Sequence, residues 1–138
     1  MCCDQRVSDI LGKGFDLSKM KEIQPLIDFV QGYKKYPINA WIKVPAFKLR
    51  LYTRRTKRLL GKKLMETLDL ASFEISEKYR GKGLFTRFIE LVESYAAELG
   101  LVVFVECVHN ERLRTFLERR GYMLVQDQSY WINISDNK

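Results

Sequence analysis

The stretch FKLRLYTRRTKRLLGKKLMETLDLASFEIS, residues 47 to 76, constrains the fold more than any other. Phe47, Leu49, Leu51 and Thr53 alternate with Lys48, Arg50, Tyr52 and Arg54. That two-residue period belongs to a strand with one face buried. LLGKK supplies a hairpin turn and KLMETLDLASFEIS the returning strand. INAWIKV, just upstream, reads as a further strand.

Helical spacing flanks this unit. DLSKMKEIQPLIDFVQGY opens with Asp16 as an N-cap, and Leu17, Met20, Ile23, Leu26, Ile27 and Val30 follow at helical intervals, with Pro25 dividing the run. Phe85, Phe88, Ile89, Val92, Tyr95, Ala96 and Leu99 form one apolar stripe over residues 84 to 99, closed by Gly100. LVVFVECV is a nearly continuous apolar strand, as expected for one covered on both faces. NERLRTFLERRGY is a second helix with Asn110 at its N-cap and Gly121 at C′, and MLVQ and SYWINI close the chain as a hairpin around DQ. The order α, β, β, β, α, β, α, β, β predicts an α+β fold, a mixed sheet with helices on it.

The 138 residues suffice for one domain spanning 1–138, with 1–15 as a loosely ordered lead-in. Hydrophobic content of 46% excludes a disordered chain. No apolar run approaches the roughly 20 residues that span a membrane, and the first residues lack a signal-peptide pattern. A cytoplasmic location is the expectation. Cys2 and Cys3 are adjacent, Cys107 sits in the apolar strand, and His109 is the single histidine, so neither a disulfide framework nor a metal site is expected.

Charge is unevenly spread. Between Asp28 and Glu66 there is no acidic residue, and 11 of the 24 basic residues lie there. The remaining 13 basic and 17 acidic residues give −4 elsewhere. A block of this kind points to an anionic partner: cofactor phosphates, an acidic protein or a nucleic acid.

The turn YRGKG lies between a strand and a helix whose first turn carries Thr86 and Arg87 but no acid. A helix N-terminus has unpaired N–H groups and a partial positive charge, so an anion suits it. Arg80, Gly81, Lys82, Gly83, Leu84 and Phe85 fill the pattern Q/R-x-x-G-x-G/A apart from Phe85, which replaces a small residue. Downstream, an Asn after a strand and a Gly-aromatic pair after a helix recur as Asn110, Gly121 and Tyr122. Over residues 66 to 134 the chain resembles the GNAT superfamily of N-acetyltransferases. The resemblance implies a mostly antiparallel mixed sheet flanked by helices, and acetyl-CoA as cosubstrate.

By the same resemblance, the amides from Arg80 through Phe85 bind the diphosphate of acetyl-CoA, and Asn110 meets its pantetheine arm. Phe85 is expected to turn inward to the core. A backbone N–H around Phe73 to Ile75 polarises the thioester carbonyl, and an amine attacks it directly. Asp69 is the expected base, with Glu74 as competitor on the opposite face of a regular strand. The family's usual thiolate-protonating Tyr is replaced by Leu117, so Tyr130 stands in as the candidate acid. Tyr122 fits a core aromatic slot. The basic hairpin, residues 43–63, favours a macromolecular or anionic acceptor. The alternative is a catalytically weak module of this fold that holds a nucleic acid or an acidic partner on that hairpin, with Phe47 and Tyr52 stacking between cations.

Overall fold

A computed structural model describes residues 17–32, 38–106 and 108–134. Asp16, the lead-in 1–15 and the three cysteines lie outside them. Helix α1 (Leu17–Met20) passes through a 3₁₀ turn (Lys21–Ile23) into α2 (Gln24–Gln31), with Pro25 in its first turn, where a missing N–H costs nothing. Six strands follow the predicted order: β1 (Ile38–Val44), β2 (Leu49–Leu60), β3 (Lys63–Ile75), β4 (Val102–Val105), β5 (Met123–Val125) and β6 (Ser129–Ile132). Helix α3 (Leu84–Leu99) joins β3 to β4, and α4 (Glu111–Arg119) joins β4 to β5.

The sheet order is β1-β2-β3-β4-β6-β5, antiparallel except where β3 meets β4. The long hairpin turns at Gly61 and Lys62. Strand β2 starts later than the alternation suggests. Phe47 sits in a 3₁₀ turn (Pro45–Phe47), fully buried against Phe88 at 5.6 Å between ring centres, so it is not a surface stacking residue.

One main core forms where the helices pack on one face of the sheet. Ile23, Leu26 and Val30 meet Leu51, Leu68 and Leu70 of the hairpin, Phe88 and Val92 of α3, and Leu117 of α4. Val103 and Val105 join this core, whereas Val102 and Phe104 turn to a smaller cluster on the other face with Leu60, Met65, Val125 and Trp131. Strand β4 is thus covered on both sides, as its unbroken apolar run requires.

Two irregularities shape the site. In β3, Ser72 pairs with Tyr52 but Leu70 pairs with Thr53, so Ala71 is an extra residue, a β-bulge. The bulge reverses the alternation beyond it. Asp69 and Glu74, expected on opposite faces, therefore share the face away from the helices, opposite Arg54 and Arg50. Strand β4 also parts from β3 early. The last rung is Glu106 N–H to Leu70 O at 3.2 Å, after which Val108 N–H donates to Gln128 O at 2.8 Å and draws the chain toward β6. Among the described residues, β3 from Ala71 to Ile75 then has β2 on one edge and no strand on the other.

Candidate active site

The parted strands open a groove of about 510 Å³. Phe73 and Ile75 from the free end of β3 form one wall. Arg80 and Phe85 at the start of α3 form the second, and Asn110, Arg112, Leu113 and Phe116 at the start of α4 form the third. Five residues singled out from sequence, Phe73, Ile75, Arg80, Phe85 and Asn110, therefore line one concavity. Phe85 packs against Phe73 at 4.9 Å and Phe116 at 5.9 Å between ring centres, which turns it toward the core and off the glycine turn.

The turn itself is built to expose amides. Gly81 and Gly83 have φ of 75° and 77°, in the left-handed region that glycine occupies without strain. Gly83 is the N-cap of α3 and offers no side chain to its first N–H groups. Arg80 N–H donates to Glu77 O at 3.1 Å, and the next turn donor is Arg87 N–H, to Gly83 O at 3.1 Å. The expected set of donors thus loses its first member, Arg80, because its amide closes the preceding 3₁₀ turn. Among the described residues, the amides of Gly81, Lys82, Gly83, Leu84 and Phe85 donate to no backbone oxygen. The Arg80 side chain ties the turn to the strand end through Nε to Ile75 O at 3.0 Å. Lys82 is exposed, while Arg87 is held by Glu22 at 3.0 Å.

Asn110 Oδ1 accepts from Leu113 N–H at 3.0 Å, capping α4 at the groove wall. The amides of Phe73 to Ile75 belong to the segment with the free edge, the geometry a polarising donor needs.

The side-chain candidates separate on this geometry. Asp69 is fully buried, unlike Glu74 on the same face. Its carboxylate takes Arg58 Nη2 at 2.6 Å and Thr67 Oγ1 at 2.7 Å. A base must reach the proton it removes, so Asp69 is a structural anion and not the expected base. Tyr130 is buried between β6 and α4, and its hydroxyl donates to Glu118 at 2.7 Å. That hydrogen bond, together with burial, raises its pKa above the ordinary tyrosine value. Buried and committed to Glu118, the expected acid is also a structural residue. Leu117 is fully buried, and Tyr122 donates to the buried Glu93 at 2.7 Å, as suits a core slot.

Glu74 remains accessible beside the free edge, paired among the described residues with exposed Arg50 at 3.1 Å. Sequence reasoning missed Glu106. It follows β4 directly, carries the last rung, and holds Arg54 at 3.0 Å and Arg58 at 2.7 Å on the same open face. Its place at the end of an apolar strand was the available signal. Burial opposes the charge of Arg58, but its hydrogen bond to Asp69 and the two carboxylates outweigh this and raise its pKa. The basic hairpin is thereby neutralised in part, since Arg50, Arg54, Arg55 and Arg58 face Glu74, Glu106, Glu66 and Asp69. Lys43, Lys48, Lys62 and Lys63 stay exposed. Among the described residues, no cluster of three His, Cys, Asp or Glu is placed to hold a metal, and no helix is long and apolar enough to cross a membrane.

Residues 59–122 match the model of the acetyltransferase (GNAT) family. No curated protein matches the chain. Among solved structures, a mutant AtaT toxin bound to the C-terminus of the antitoxin AtaR and acetyl-CoA is 18% identical with TM-score 0.48, covering 64% of this chain and 59% of that one. AtaT complexed with acetyl-methionyl-tRNAfMet is 18% identical with TM-score 0.44, covering 64% and 65%. A KacT mutant is 17% identical with TM-score 0.41, covering 91% and 88%. The chain thus spans less than two thirds of the first two structures.

Proposed function

This chain is a member of the acetyltransferase (GNAT) family over residues 59–122, and on that premise we propose that it is an acetyl-CoA-dependent N-acetyltransferase acting in the cytoplasm. The observation that carries the reading is the union of an acid-free groove with a turn whose amides are unclaimed. In this reading the amides of Gly81 to Phe85 receive the diphosphate. The α3 dipole adds about 0.3–1 kcal/mol to the hydrogen bonds themselves. Phe73, Ile75, Phe85, Leu113 and Phe116 enclose the pantetheine arm, and the Asn110 amide orients it.

Bound acetyl-CoA supplies an activated acyl carbon. An N–H of the free β3 edge between Phe73 and Ile75 faces the thioester oxygen as negative charge grows there. The amine arrives on the open face of the sheet, where Glu74 and Glu106 stand on either side of the parting strands. Its nitrogen bonds to the acyl carbon as the C–S bond breaks and the thiolate leaves. Glu74, exposed and lightly paired, takes the proton that the amine releases. A macromolecular or anionic acceptor is part of the proposal, drawn by Lys43, Lys48, Lys62 and Lys63.

Calorimetric titration with acetyl-CoA tests this, using the wild type, Gly83→Asp and Gly83→Asn. A Cβ at Gly83 meets nothing within 4 Å, and both replacements carry the same left-handed strain. They differ in the carboxylate that would face the diphosphate. Micromolar binding by wild type, retained better by Asn than by Asp, is expected. No wild-type binding at millimolar ligand would sink the enzyme reading.

A second reading has its own observation. On the open face Arg50 stacks on Trp41 at 4.2 Å, and Trp41 lies 5.3 Å from Tyr52. Such aromatic and cationic pairs suit a binding module for single-stranded nucleic acid. Affinity for an oligonucleotide that falls steeply with salt would favour it.

A further inference from the structure

Glu74, the base of the proposed reaction, is held by one cation: Arg50 Nη1 donates to its Oε1 at 3.1 Å. The contact belongs to a row across three strands. Lys43 of β1 is the register partner of Arg50 in β2, and Arg50 is the register partner of Glu74 in β3. Register partners share a face, so the three side chains stand side by side on the open face, and all three are exposed. Among the described residues Lys43 makes no ion pair. One strand spacing is about 4.8 Å, so two cations lie about 5 and 10 Å from the base.

The three carboxylates of this face are held differently. Asp69 is fully buried, and Arg58 and Arg54 both approach it. Glu106 also takes both of these arginines. Glu74 shares a single contact in which both partners are exposed, and exposed ion pairs are weak. Arg50 itself has a second anchor. Its guanidinium carbon lies 4.2 Å from the centre of the Trp41 ring, and Trp41 leans on Tyr52 at 5.3 Å. That stacking keeps the cation in place when its carboxylate is exchanged for another anion.

We infer that the acceptor is a primary amine carrying its own anionic group, a carboxylate or phosphate about 5–10 Å from the nitrogen, and that this group takes Arg50 away from Glu74. The inference rests on the acetyl-CoA reading above, with Glu74 as base, and names the acceptor class. The anion lies against Arg50 and Lys43, where a planar guanidinium offers it two parallel hydrogen bonds. Glu74 then loses its partner as the amine arrives. It takes the amine's proton while the nitrogen bonds to the acyl carbon and the C–S electron pair leaves on sulfur. A neutral amine leaves Arg50 on Glu74 and meets an occupied base. Trp41, Arg50 and Lys43 thereby make release of the base depend on the charge of the acceptor.

Acetyl transfer to γ-aminobutyrate, to aminopropylphosphonate and to γ-aminobutyramide, the neutral match of the first, tests this on wild type, Arg50→Gln and Lys43→Gln. Binding of acetyl-CoA to each protein is measured separately by calorimetry. Wild type is expected to favour the anionic acceptors by about tenfold or more in kcat/KM, the scale of a charge-assisted contact. The better of the two identifies the anion as carboxylate or phosphate. Arg50→Gln should act in opposite directions, slowing transfer to the anionic acceptors and speeding transfer to the amide, so that the preference disappears. A merely structural Arg50 would slow all three alike. Lys43→Gln should raise KM for the anionic acceptors. Equal use of acid and amide by wild type, a parallel loss for all three in Arg50→Gln, or no transfer to any of them by a protein that binds acetyl-CoA would overturn the assignment and leave the cosubstrate reading intact. Wild type that binds no acetyl-CoA would remove both.

Discussion

Helix α3 begins at Gly83 with no side chain folded onto its first amides and no acid in its first turn. Helix α4, on another wall of the same groove, begins with Asn110 Oδ1 accepting from the Leu113 N–H and with Glu111 in its first turn. The two starts face the same electrostatic problem, a positive helix end with unpaired donors. One is closed by its own sequence, which favours the fold. The other is left open, as the proposed diphosphate site requires, at the expense of the isolated chain. The difference marks the start of α3 as the end of the groove left open to an anion.

The largest test concerns what holds the two helices together. Buried Glu93 of α3 takes Arg120, at the end of α4, through both carboxylate oxygens, and also Tyr122. Glu93→Ala leaves a half-buried guanidinium and a buried hydroxyl without their acceptor. A loss of about 3 kcal/mol in urea unfolding is expected, with acetyl-CoA binding weakened through displacement of α4. A loss under about 1 kcal/mol would mean the helix starts are fixed by other contacts. The same cluster sets an alkaline limit. Burial, then the charge of Glu93, holds the Tyr122 hydroxyl well above its ordinary pKa. The folded state therefore keeps a proton that the unfolded chain releases near pH 10. Stability should be full below about pH 10 and fall above it, and Tyr122→Phe should flatten that fall.

At the closed start, Asn110→Ala removes the cap and should cost about 1 kcal/mol of stability by thermal or urea unfolding. A change indistinguishable from zero would show that α4 does not depend on its own cap. At the open start the expected sign is reversed. Thr86→Glu places an acid at the third residue of α3, where it complements the dipole by about 0.5 kcal/mol. The protein should become slightly more stable while acetyl-CoA binds several-fold more weakly, since the carboxylate competes with the diphosphate. Gain in both would break the contrast between the two helix starts.

Much of this was legible in the chain itself. The alternation around Leu49 and Leu51, the stripe from Phe85 to Leu99 and the apolar β4 each carry their structure in a local period, so strand and helix order followed without tertiary information. The glycine turn was legible too, because the left-handed angles at Gly81 and Gly83 and the missing acid are properties of a few neighbouring residues. Asp69 and Tyr130 misled because residue type does not disclose burial. Each became the buried partner of a residue distant in sequence, Arg58 and Glu118.

Local sequence determined which segments are helices and strands, where the amide-rich turn lies, and that its first helical turn carries no acid. These depend on side-chain periodicity and backbone preference within a few residues. Only the tertiary structure decided that Ala71 bulges and turns Glu74 to the face of Asp69, that β4 leaves β3 after Glu106, and that four hairpin arginines are matched by acids up to 52 residues away. Those outcomes depend on pairing between distant segments, where register and packing select among arrangements that the local sequence leaves equivalent.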